Sequence, residues 1–80
     1  MSTNLLKFQR DCIELDSPQA PFVLFNGVGV AECQWINARL GIAKFKETGG
    51  AFCALNVPDV IEVFATYEQA IEVMQHRATA

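Results

Sequence analysis

The chain has 80 residues, nine acidic and six basic, for a formal net charge of −3 and a pI near 4.9. The basic residues Lys7, Arg10, Arg39, Lys44, Lys46 and Arg77 are scattered, whereas a phosphate backbone demands clustered positive charge, so nucleic-acid binding is not expected. No apolar run approaches the ~20 residues of a membrane span, and the first residues lack the basic-then-apolar order of a signal peptide.

Apolar residues make up 51% and charged residues 19%, an apolar-rich balance for a soluble domain. A chain this short forms one domain, 1–80, and buries only roughly 60–65% of its unfolded surface. Part of the apolar content is therefore expected to face another chain, most simply a second copy. Cys12, Cys33 and Cys53 are odd in number and far apart, as suits free thiols in a reducing cytoplasm.

Residues 3–15 carry Leu5, Phe8, Cys12 and Leu15 at spacings of three and four, which predicts a helix with Ser2 or Thr3 as its cap. A strand at Cys12–Leu15 is the alternative. Two prolines in Asp16–Pro21 break the chain. Phe22-Val23-Leu24-Phe25 reads as a strand buried on both faces. Asn26-Gly27-Val28-Gly29 then turns. Val30, Cys33, Ile36 and Leu40 make a helical stripe over residues 30–40, with Gly41 in the left-handed position beyond it. Residues 42–46 and 51–56 are predicted strands joined by a hairpin at Glu47–Gly50, and Val57-Pro58-Asp59 is another turn.

Val60–Ala65, rich in β-branched residues, reads as a strand. Thr66 with Gln69 has the spacing of a capping box and opens a last helix to Arg77. Glu68 near its start and His76 and Arg77 near its end suit the helix dipole. A single helix over 58–77 is the rival reading. The order α-β-α-β-β-β-α predicts an α+β two-layer sandwich, a small antiparallel or mixed sheet with helices packed on one face. The other face then needs a cover, which again points to dimerisation.

Asn26, Gly27 and Gly29, between a predicted strand and helix, occupy the place of an anion-cradling loop. The dinucleotide fingerprint fails at Glu32, where a carboxylate would repel phosphate, and a tight turn needing positive φ is the preferred account of the glycines. A pocket between the sheet and the second helix is predicted to draw on Phe25, Asn26, Trp35, Phe64 and Tyr67. Trp35 lies off the helical stripe with Ala31, Ala38 and Arg39 on its side. That is either a protein interface, where Trp and Arg are enriched, or helix packing.

Cys33 and His76 are the one nucleophile–base candidate, but Cys33 falls on the apolar stripe and His76 on a polar face, four residues from Glu72. Glu62, between apolar neighbours, is either on a solvated sheet face or in a pocket. No Cys or His spacing suits zinc. Neither a metal nor a cofactor is expected. The leading functional expectation is a non-enzymatic interaction module that associates with a copy of itself or another protein. The alternative is a small-ligand binding or sensing domain.

Overall fold

The computed structural model describes residues 3–79. Helix α1 (Thr3–Glu14) is followed by strands β1 (Pro21–Phe25), β2 (Val30–Asn37), β3 (Ile42–Phe45), β4 (Ala51–Cys53) and β5 (Glu62–Phe64), then helix α2 (Tyr67–Thr79). One turn of 3-10 helix, Ala38–Leu40, joins β2 to β3, and another, Ala54–Asn56, follows β4. The strands form one antiparallel sheet in the order β4-β3-β2-β1-β5. The fold is α+β, with both helices packed on the sheet, as the element pattern predicts.

The pleat gives each helix its own set of β1 side chains. Phe22 and Leu24 join Leu5 and Cys12 of α1, together with Cys33, Trp35 and Ala43, in the main core. The sheet and α1 thus form the principal pair of layers. Val23 and Phe25 project the other way. On that side Phe25 lies 6.4 Å from the Phe64 ring and the Arg77 guanidinium of α2 sits 5.6 Å from its centroid. All four apolar residues of β1 are buried, as expected of a strand covered on both faces. The single-face placement of the helices is thereby refined: α2 takes the reverse of the pleat, over β1 and β5. Beyond α2 that reverse side presents Glu32 and Lys44, both exposed. It is an ordinary solvated face and needs no cover.

Residues 30–37 are the main departure from the sequence reading. They form a strand and not a helix. Phe25 faces Val30 and Phe22 faces Cys33 across the hairpin, so Cys33 and Trp35 point into the core while Glu32 points out. This period of two competes with the helical stripe in the same residues, and long-range pairing decides between them. Ile36 takes up a register shift between Trp35 and Asn37, the mark of a β-bulge. Gly41 is left-handed as expected, at φ +72°, but it caps the short Ala38–Leu40 turn.

The last strand and helix are separate, so the continuous 58–77 helix does not form. Gln69 donates its N–H to Thr66 Oγ1 (3.3 Å), and its own Oε1 accepts from Ala65 N (3.2 Å). These reciprocal bonds hold the break between strand and helix. Helix α1 ends where Ser17 N bonds Cys12 O (2.8 Å) and Asp16 N bonds Ile13 O (3.1 Å), with Asp16 at φ +56°. This is a Schellman cap with aspartate where glycine is usual. The helix is the form observed for residues 3–14, so the alternative strand at Cys12–Leu15 does not form. The expected cap at Ser2 or Thr3 lies on side chains outside those described.

Candidate functional site

An apolar concavity lies on the α1 side of the sheet, and no α1 residue lines it. Leu24, Ala31, Phe45 and Phe52 form its floor, and all four alternate onto one face. Phe45 and Phe52 pack as a tilted pair at 4.7 Å between centroids. One wall is the β1–β2 turn, through Asn26 and Gly29. The other is the connection from Asn56 through Val57 and Pro58 to Ile61. The cleft encloses about 450 Å³, within the ~300–1,000 Å³ of small-molecule sites. No ionisable carboxylate, amine, guanidine or imidazole lines it; Cys53 is its one thiol.

The Asn26 wall is built from turn chemistry. Asn26 Oδ1 accepts from Val28 N (2.9 Å) and Gly29 N (2.8 Å), and Asn26 N donates to Gly29 O (3.2 Å). Gly27 holds φ +90°, which an L side chain reaches only with strain. The tight-turn reading of these residues is therefore the one observed. The turn joins two strands, so it does not open a helix. The amides that an anion would need are already bonded to Asn26.

The remaining anticipated site residues divide between two sides. Asn26 and Gly29 line the cleft; Gly27 does not. Phe25, Phe64 and Tyr67 belong to the α2 side, where Tyr67 borders a larger, more polar depression of about 630 Å³ with Val30, Glu32 and Lys46. A pocket between the sheet and a second helix at 30–40 does not exist, because those residues are themselves part of the sheet. Trp35 is 1% exposed and packs 5.0 Å from the Phe22 ring, so the packing alternative holds and the indole offers nothing to a partner. Ala38 is fully buried and Ala31 is half-buried on the cleft floor; Arg39 alone of that group is exposed.

The nucleophile–base pairing that the sequence already disfavours for Cys33 and His76 has no geometry behind it. Cys33 is fully buried in the main core, where burial pushes its thiol up to about 12. His76 is exposed on α2, which packs against the reverse side. Burial also pushes the Cys12 thiol up; the neighbouring Trp35 indole opposes this and Asp11 reinforces it. Among the described residues Trp35 Nε1 is buried without a conventional acceptor, and the Cys12 sulfur is its soft polar neighbour. Glu62 pairs with Arg77 at 2.6 Å, so its place among apolar neighbours is explained by an ion pair over Phe25. Among the described residues no three His, Cys, Asp or Glu side chains converge on a metal position, and no helix is long and apolar enough to cross a membrane.

Sequence reasoning missed Leu24, Ala31, Phe45, Phe52 and Ile61 as cleft residues. They come from five separate segments, and only the tertiary fold brings them together. The turn residues Asn26 and Gly29 were legible because their type is tied to local backbone geometry. No family model, curated protein or solved structure matches the chain.

Proposed function

We propose that this protein is a non-enzymatic domain that binds a small apolar molecule in the cleft between the Asn26–Gly29 turn and the Asn56–Ile61 connection. The observation that carries the reading is a concave, aromatic-floored space of about 450 Å³ with two asparagines at its walls. Sparse polar groups on an apolar lining are the usual make-up of small-molecule sites. The absence of an acid–base pair in the lining favours binding over catalysis. The three unpaired cysteines favour a reducing compartment such as the cytoplasm.

The test is a fragment titration with 2-ethylnaphthalene followed by amide NMR. Shifts confined to residues 24–31, 45–53 and 56–61, and abolished by Ala31→Phe, support the cleft. Shifts elsewhere, or none, reject it. Self-association is the second reading. It is favoured by Ile36, Leu40, Ile42 and Leu55, all exposed, beside the free edge of β4. Sedimentation equilibrium tests it; a monomer at high micromolar concentration excludes it.

A further inference from the structure

Resting on the cleft reading above, we infer that the ligand is an uncharged, ring-containing molecule whose hydrogen-bond acceptor is recognised by Asn26 Nδ2. The first support is the fixed orientation of the Asn26 amide. Two backbone N–H groups, of Val28 and Gly29, hold its Oδ1 at 2.9 and 2.8 Å. An N–H group bonds only to an acceptor, so the oxygen is identified by its partners and the planar amide directs Nδ2 away from the turn. Among the described residues Nδ2 has no protein acceptor, and Asn26 is on the cleft wall. The turn thus presents a donor of fixed orientation without needing a second element to hold it.

The second support is charge. The cleft has no cationic side chain to meet a carboxylate or phosphate and no anionic one to meet an amine. A charged ligand would lose hydration with no ionic partner in return. The third support is shape. The Phe45–Phe52 pair, 4.7 Å apart and inclined by 32°, gives the floor two aromatic rings, on which a flat or branched apolar body packs by offset or edge contacts.

The experiment compares three molecules on one ring system: 2-acetylnaphthalene, with an acceptor; 2-ethylnaphthalene, nearly the same shape without one; and 2-naphthoate, charged. Each is titrated by amide NMR into wild type and Asn26→Asp. Aspartate keeps the oxygen that bonds the Val28 and Gly29 amides, so the turn survives, but it has no donor. Wild type is expected to bind the ketone roughly 2–10-fold tighter than the hydrocarbon, the range of one neutral hydrogen bond, and naphthoate most weakly. In Asn26→Asp the preference for ketone over hydrocarbon falls to about one. The side-chain amide signals of Asn26 in wild type move with the ketone and not with the hydrocarbon, a readout that needs no variant. Equal binding of ketone and hydrocarbon, tighter binding of naphthoate, or a preference surviving in Asn26→Asp overturns the inference and leaves the cleft standing. If none of the three binds, the cleft reading itself fails.

Discussion

The α1 side of the sheet has two ends built from similar residues with opposite outcomes. At one end Phe22, Cys33 and Trp35 are covered by Leu5 and Cys12, and every one of them is buried. At the other end Ala31, Phe45 and Phe52, with Leu24 at the boundary of the main core, present an apolar floor, and no α1 residue lines the cleft above it. The difference is one of coverage. Helix α1 lies against β5 and the Ala38–Leu40 and Ala54–Asn56 turns, and none of its residues lines the cleft. Here the Asn56–Ile61 connection walls the open floor without filling it. The contrast suggests that the filled end sustains the fold and the open end is available for binding.

Substitutions can break this contrast. The largest effect is expected at the filled end. Trp35→Ala should cost about 3–5 kcal/mol in urea unfolding, since a large buried ring leaves a cavity. A loss under ~1 kcal/mol would mean that the indole is not a core anchor. The same end should show an alkaline weakness through Cys33. The unfolded chain releases this proton near 9, while the folded state holds it to about 12. Between those values the unfolded state binds fewer protons, so stability falls as pH rises; below that window this group gives no pH dependence. The slope should be reduced in Cys33→Ala, and an unchanged slope would assign it to other groups.

Phe52→Ala, on the open floor, should cost only about 1–2 kcal/mol, because the ring is half-buried and loses one aromatic partner. A cost equal to that of Trp35→Ala would erase the distinction between the ends. Ala31→Leu should change stability by ~0.5 kcal/mol or less in either direction while weakening ligand binding, because it occupies open space. The smallest effect belongs to the reverse side. Arg77→Gln removes the exposed pair with Glu62, and the slight destabilisation should shrink further at 1 M salt.

Much of the fold could be read locally. The β1 run, the Gly49–Gly50 hairpin and the Thr66/Gln69 cap each combine residue types that have few backbone solutions. Residues 30–37 could not be settled this way, because Val30, Cys33 and Ile36 fit a helix while Ala31, Cys33 and Trp35 fit a strand. Trp35 carried the useful signal: a bulky ring off the helical stripe is out of place on a helix and in place on a strand beside Cys33. The cleft was largely hidden for a different reason. Its floor is set by strand order and by where α1 lies on the sheet, and neither is written in any one segment. Its Asn26 wall was visible, although the chemistry first attached to it, an anion at a helix start, assumed the wrong following element.

The burial of Trp35 also determines what light can report about this molecule. Its single indole lies against Phe22 and the Cys12 sulfur, outside the cleft lining. Its emission should therefore follow the packing of the filled end, with the adjacent thiol as a quencher, and should shift toward longer wavelength on unfolding. A molecule entering the cleft touches no indole. Tryptophan fluorescence is thus a gauge of folding that stays nearly silent to occupancy, and the two properties can be recorded separately in one sample.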